Sequence, residues 1–252
     1  MSIWDAYQRR MDAWGKNLRD TVFNREFRML NNKFDSTLSY HAVQIGNRTQ
    51  DVTIINSDNL NEKKIITRPG EDLICGELVE WANNYWLISE KDANNELYTR
   101  GKLLQCNHLL KWIDSDGIIR EQWCVIEDGT KYLTGEYEDR KFIVTRGDSR
   151  IAMTIGRNKH TIAFERENRF LIDDPESKNK LAYLLTKPLK TGRSYDKGGV
   201  FSFVLQEVVA TADDNMELGI ADYYKYFPRP SGSSSGGADD DKDTSDEGRN
   251  WL

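Results

Sequence analysis

Cys75, Cys106, His108 and Cys124 fall within one stretch of fifty residues and form the densest gathering of soft metal ligands in the chain. Thiolates with an imidazole are the donors of tetrahedral zinc sites. No Cys-x-x-Cys pair is present, however, and on a strand Cys106 and His108 share a face, as packed cysteines also do. The expectation is therefore burial without a metal, with spacing leaving open whether the four meet in space. The remaining histidines, His41 and His160, are scattered. There is no Gly-x-Ser-x-Gly elbow, no Gly-x-x-x-x-Gly-Lys loop and no His-Glu-x-x-His helix. Asp173-Asp174 and Asp213-Asp214 sit in turn contexts, and Asp114-x-Asp116-Gly117 lacks the later ligands of a calcium loop. Arg146-Gly147-Asp148 reads as an ordinary turn. No catalytic residue, metal or cofactor is expected. The rival reading, a hydrolase with scattered residues, requires a polar pocket around His108 or His160 with a converging carboxylate.

What the residues offer instead is contact surface. Ile3, Tyr7, Met11, Trp14 and Leu18 recur at steps of three and four, and so do Phe23, Phe27, Leu30 and Phe34. These stripes predict an α-helical arm over residues 1–37, with a cap for its second helix at Asp20 or Thr21 and with Gly15 weakening the end of the first. Trp4, Tyr7 and Trp14 are its candidate partner-binding residues. The two stripes pack either on their own domain or on a neighbouring subunit. Trp251 and Leu252, at the end of an acidic spacer, are a second candidate docking element, or the end of a solubilising tail.

From Tyr40 the period changes to two. Short apolar–polar alternations separated by Gly46-Asn47, Pro69-Gly70, Ala82-Asn83-Asn84 and Asp128-Gly129 predict a mainly β body over 38–226, a barrel or sandwich of SH3-like or similar form. Strands are expected at Leu73–Trp81, Phe142–Thr145 and His160–Phe164, a closing helix at Met216–Tyr226, and a division into two β units near 138–150. Residues 227–252, Gly/Ser-rich and then acidic, cannot bury enough apolar surface to order themselves and are expected to be disordered.

The formal charge is −6, and residues 238–252 alone hold six carboxylates against two cations. Such a balance disfavours tight, nonspecific binding to phosphates. No apolar run is long enough to span a membrane, the first residues lack the basic-then-apolar pattern of a signal peptide, and three cysteines do not make a disulfide framework. Assembly in a reducing cytoplasm is the expectation.

Several runs carry a family resemblance. They are Gly76-Glu77-Leu78-Val79 through Trp86-Leu87-Ile88, Tyr98 through Cys106-Asn107-His108-Leu109-Leu110-Lys111-Trp112, Arg146-Gly147-Asp148-Ser149-Arg150, Arg169-Phe170-Leu171-Ile172-Asp173-Asp174, Leu185-Thr186-Lys187-Pro188, Gly199-Val200 to Glu207-Val208, and Asp214-Asn215 with Ile220-Ala221-Asp222-Tyr223-Tyr224. Over about residues 1–226 the chain resembles virion structural proteins of tailed phages infecting Gram-positive hosts. The resemblance implies a head–tail connector subunit of the head-closure or adaptor kind: a homo-oligomeric ring of six or twelve below the portal. Portal, adaptor or tail proteins would be its partners, and genomic DNA would pass without tight binding. A capsid decoration or collar protein is the alternative. Relatives of this pattern often carry an immunoglobulin-like C-terminal domain; here the Gly/Ser and acidic tail stands in that place, which weakens any surface-adhesion role.

Overall fold

The computed structural model describes residues 3–12, 15, 17–92, 95–128, 150–174, 176–195 and 198–228. Trp14, the strand expected at Phe142–Thr145, the Arg146-Gly147-Asp148 turn, Trp251 and Leu252 lie outside the described residues, as does the tail from residue 229 onward.

Two helices, α1 (Ile3–Asp12) and α2 (Leu18–Phe34), precede the β body. Alternation then builds a closed barrel from β1 (Tyr40–Ile45), β2 (Arg48–Asn56), β3 (Glu62–Thr67), β4 (Leu78–Trp81), β5 (Asn84–Lys91) and β6 (Arg100–Gln105). Val43 and Ile45 of β1 and Ile65 and Thr67 of β3 point inward while their neighbours face out. The strand order is β1-β2-β3-β6-β5-β4, and the ring closes through Gln44 opposite Glu80 and Ile45 opposite Val79. Side chains fill so small a barrel. Leu73 and Cys75, expected in a strand, instead turn into this core ahead of β4. Hydroxyls hold that inward turn: Thr67 Oγ1 donates to Glu71 O at 3.0 Å and Thr99 Oγ1 to Asp72 Oδ1 at 3.2 Å.

A second six-stranded sheet follows, made of β7 (His108–Ile113), β8 (Ile119–Asp128), β9 (Arg150–Gly156), β10 (Arg169–Ile172), β11 (Leu181–Tyr195) and β12 (Gly198–Val208) in the order β10-β11-β12-β9-β8-β7. The fold is thus mainly β with an N-terminal helical segment. The change of sheet falls between Gln105 and His108; β8 and β9, which flank residues 129–149, pair with each other in one sheet. His160–Phe164 is not a strand. The Asn158 side chain accepts from the backbone N–H groups of His160 and Thr161, each at 2.8 Å, and bends the chain into a 3-10 turn at Thr161–Ala163. That turn delivers Phe164 into the core against Trp112 and Phe170, both at 5.0 Å between ring centres. Only α3 (Tyr223–Tyr226) is helical in the closing segment, because the residues before it are held as turns by Arg169 (below).

The two sheets meet main chain on main chain. Gly199 N–H donates to Cys75 O at 2.8 Å, and Arg157 N–H donates to Gly199 O at 2.9 Å. A Cβ added at Gly76 would lie 2.0 Å from Gly199 O, and one at Gly156 would lie 2.0 Å from Gly76 O. Beside this contact Tyr85 of the barrel stacks on Trp123 of β8 at 4.9 Å, over a shared apolar cluster of Leu87, Cys106, Val125 and Val200. Asn107 pins the connection, giving its Nδ2–H to Ile126 O and accepting from Ile126 N–H, both at 2.8 Å.

Gly76 and Gly117 both hold positive φ, +89° and +74°, but nothing lies near a Cβ at Gly117. Gly117→Ala should therefore cost only the left-handed penalty of about 1–2 kcal/mol, whereas Gly76→Ala adds a clash with backbone, for a total of about 2–5 kcal/mol. Urea denaturation of the two variants checks this; equal losses would mean the 75–76 turn is not wedged against the second sheet.

Candidate functional site

The arm is built in two unequal parts. On α1, Ile3, Trp4 and Tyr7 are 87%, 75% and 52% exposed, and Trp4 and Tyr7 meet edge to face at 6.0 Å. The cap of α2 is Asn17, not Asp20 or Thr21: its Oδ1 accepts from Asp20 N–H at 2.8 Å. The stripe Phe23, Phe27, Leu30 and Phe34 turns toward the barrel, but burial is graded along it, and only Phe34 at the C-terminal end is fully buried.

Arg68, just past β3, anchors that end. Its guanidinium lies 5.1 Å from the Phe34 ring centre, donates to Asn31 Oδ1 at 3.1 Å and Asp51 Oδ2 at 3.0 Å, and pairs with Asp35. Tyr40 completes the joint, donating to Asp51 Oδ1 at 2.9 Å and meeting Phe34 edge to face. At the other end α2 stands off the barrel, and a groove of about 690 Å³ opens between its N-terminal turns and a wall of Asp92, Asn95, Glu96, Leu97 and Arg100. Leu18, Val22, Phe23 and Leu97 line it, and an exposed Arg19–Glu96 pair at 2.8 Å bridges it. The helical arm was legible in the spacing, and Trp4 and Tyr7 lie exposed on it; the groove was not, because its far wall of Asp92, Asn95, Glu96, Leu97 and Arg100 carries no periodic signal.

The chemistry-bearing residues are placed differently. Cys75 belongs to the barrel core, Cys106 to the cluster between the sheets and Cys124 to the core of the second sheet. All three are buried free thiols. Burial pushes the Cys106 thiol up to about 12; burial, with Cys106 nearby, raises Cys124 as well. Cys106 and Cys124 therefore stay protonated, and all three pack as small apolar groups. His108 sits opposite Cys124 across the β7–β8 pair. Burial, helped by Lys180, lowers its pKa against the opposing pull of Asp173. No group of three or more His, Cys, Asp or Glu among the described residues is arranged to hold a metal ion.

His160 does meet a carboxylate, with Nδ1 3.3 Å from Asp114 Oδ2. That carboxylate is already occupied: Arg120 Nε donates to it at 2.8 Å, and the N–H groups of Asp116 and Ile118 bond its other oxygen in a turn. Asp214 is likewise committed. It accepts from Arg169 at 2.8 and 3.0 Å and from the N–H groups of Thr211 and Asp222 at 2.7 and 2.9 Å, while Arg169 also reaches Asp222 at 2.8 Å. This node ties residues 209–222 to β10. Burial alone would raise the Asp214 carboxyl, but these donors more than offset it and hold it below the usual range.

Residues 16–105 match the family of the YomX N-terminal domain, a phage-related domain. The match covers less than half of the chain. It begins just before α2 and ends at Gln105, the last residue of β6, so it takes in α2 and the closed barrel together. No match was found among curated proteins or among solved structures.

Arg68→Met should release the C-terminal end of α2. A loss of about 1–3 kcal/mol is expected, and amide exchange should speed up in 18–34 while β2 and β5 keep their protection; unchanged exchange in α2 would show that Arg68 is not the anchor. The titrations give a second prediction. His108 binds its proton more weakly when folded, so stability is full above its ordinary value of 6.5 and declines as pH falls below it. Asp214 releases its proton more readily when folded, so its contribution is present above 3.8 and is lost as pH falls through and below that value. Urea midpoints across pH 3–8 should fall in these two steps, and His108→Gln should remove the upper one only.

Proposed function

We propose that this protein is a virion structural subunit of a tailed phage, working as a head–tail connector. Copies join into a ring of six or twelve, the ring docks on portal, adaptor or tail proteins, and genomic DNA passes through it without tight binding. The subunit is assembled in the host cytoplasm and performs no catalysis; its mechanism is the burial of surface against neighbouring chains. One observation carries this reading: an arm with Ile3, Trp4 and Tyr7 in solvent stands directly before a phage-related α2–barrel domain. Apolar side chains gathered on one exposed helical face are a mark of an interaction surface. The second sheet, fixed to the barrel by backbone contacts, would serve as the rigid part presented to the next component along the virion axis. The acidic balance supports passage of DNA, since fixed negative charge does not hold phosphates.

Native mass spectrometry with electron microscopy of the purified protein should reveal closed rings of six or twelve copies; a monomer at all concentrations would overturn the proposal. Copies that bind only to a capsid lattice would favour a decoration or collar protein instead. The double variant Trp4→Ala, Tyr7→Ala should weaken self-association at least about tenfold, equivalent to about 1.4 kcal/mol, with the melting temperature of the β body unchanged. Unaltered assembly of that variant would remove the arm from the interface.

A further inference from the structure

One mouth of the barrel gathers aromatic and amide side chains that neither the core nor the junction between the sheets uses. We infer that this mouth is a binding site for an uncharged oligosaccharide. The inference stands apart from the assembly reading above, and either can fail without the other.

Register builds the site. The six barrel strands run alternately in opposite directions, so one end collects the first residues of β1, β3 and β5 and the last residues of β2, β4 and β6. Side chains two apart on a strand share a face. Val43, Ile54, Ile65, Val79, Trp86 and Leu103 all belong to the barrel core. Two positions from each of them, toward this end, stand His41, Asn56, Lys63, Trp81, Asn84 and Gln105. Each strand therefore brings one side chain able to hydrogen-bond to the rim. Contacts across the rim agree: Gln105 Nε2 donates to Asn84 Oδ1 at 3.4 Å, Gln105 N–H to Asn61 O at 3.0 Å, and Lys63 Nζ to Leu60 O at 3.1 Å.

The aromatic part is continuous. The His41 and Trp81 ring centres are 5.2 Å apart, and those of Trp81 and Trp86 are 5.7 Å apart. Trp81 is half-buried, so part of its indole meets solvent at the rim. Trp86, one inward position deeper on β5, is only 4% exposed. Its Nε1–H is buried and has no acceptor among the described residues. A buried donor without a partner is rare in a folded chain and calls for an explanation. A hydroxyl seated at the rim, with Trp81 tilting to admit it, supplies the missing acceptor.

Chemistry then selects the ligand. A half-exposed indole takes a flat apolar surface, and the C–H face of a pyranose ring is one. The amides of Asn56, Asn84 and Gln105 hold donors and acceptors side by side, as sugar hydroxyls do. Lys63 is the one lysine or arginine among the six rim positions, and none of the six is a carboxylate. Asp58, in the β2–β3 turn, balances Lys63, while Glu62 and Lys102 pair with each other at 2.8 Å on the outer face. A nucleic-acid strand needs several cations along its phosphates. A cationic ligand needs free aromatic faces, but Lys63 Nζ already stands 5.9 Å from the Trp86 ring centre. A wholly apolar partner would strip the amides of water and leave them unpaired. A neutral molecule rich in hydroxyls meets all of these conditions.

The full chain is screened on an array of neutral oligosaccharides of glucose, galactose, N-acetylglucosamine and rhamnose, with a heparin hexasaccharide and an oligothymidylate as charged probes. Hits are measured by titration calorimetry. At least one neutral oligosaccharide should bind with a dissociation constant of about 1 mM or tighter, and neither charged probe should bind as well. Trp81→Ala should weaken that binding at least about tenfold, whereas Trp81→Phe should keep it within about threefold. Asn56 is exposed at a strand end, so Asn56→Ala leaves the core intact and should cost about threefold in affinity. An array without any neutral binder would overturn the inference, and so would preference for either charged probe. Undiminished sugar binding by both Trp81→Ala and Asn56→Ala would place the ligand elsewhere and reduce Trp81 to a plug of the barrel. Closed rings of the protein that bind no sugar would sink this site and leave the connector reading standing.

Discussion

The fold depends on one place where backbone touches backbone. The 75–76 turn of the barrel presses on Gly198–Gly199 and Gly156 of the second sheet, with Cys75 O accepting from Gly199 N–H and Gly199 O accepting from Arg157 N–H. No side chain fits between the two chains there, and the amides that a strand end would leave bare are satisfied across the junction. The stacked Tyr85 and Trp123 and the cluster around Leu87 and Val200 extend the contact. Two β units that share hydrogen bonds and a core behave as one body, since moving either would strip both at once.

Against that rigid part the N-terminal segment is held at few points. Arg68 gathers the C-terminal end of α2 to the barrel through Phe34, Asn31 and Asp35, and burial declines from there toward Leu18. The gradient has a physical source. Phe34 lies over β1 and Arg68, while Phe23 faces Asp92, Asn95, Glu96 and Leu97, among which Leu97 is the one apolar side chain described. The helix is thus covered at its C-terminal end and leaves Leu18 and Val22 exposed at the other. α1 beyond it, with Trp4 and Tyr7 in solvent, continues the same deficit.

Local physics made much of this legible. Alternation at Val43 and Ile45 or Ile65 and Thr67 is a strand signal that any half-buried sheet produces, and Asp114 forms the turn its type favours. The aromatic spacing of both helices reads directly as a face, and the arm that carries Trp4 and Tyr7 was legible for that reason. Where the sequence misled, a long-range partner decided. Leu73 and Cys75 look like strand residues, yet Thr67 and Thr99 turn them into the barrel. His160–Phe164 alternates like a strand, yet Asn158 caps a turn there so that Phe164 can reach Trp112. Met216–Tyr226 carries helical spacing, but Arg169, more than forty residues upstream, bonds Asp214 and Asp222 and fixes turns instead. Gly76, Gly156 and Gly199 each look like ordinary turn residues. That they face one another is a property of the fold, not of any window of sequence.

The ionisable groups tell the same story from the other side. Arg169 is spent on Asp214, Arg120 on Asp114, Arg68 on Asp51, and Lys91 on Asp72. Each ties a loop to a strand, and each carboxylate of these pairs also accepts a hydrogen bond from another backbone or hydroxyl donor. A group so saturated has little capacity left for a substrate, because binding one would require breaking bonds that hold the loop. Among the described residues, apolar surface stays open at the face of α1 and along the floor of the groove beside α2. Paired charges that fix loops and open apolar surface at one end are what the proposed role in recognising other chains would draw on. In such a part affinity comes from surfaces that are buried only on assembly.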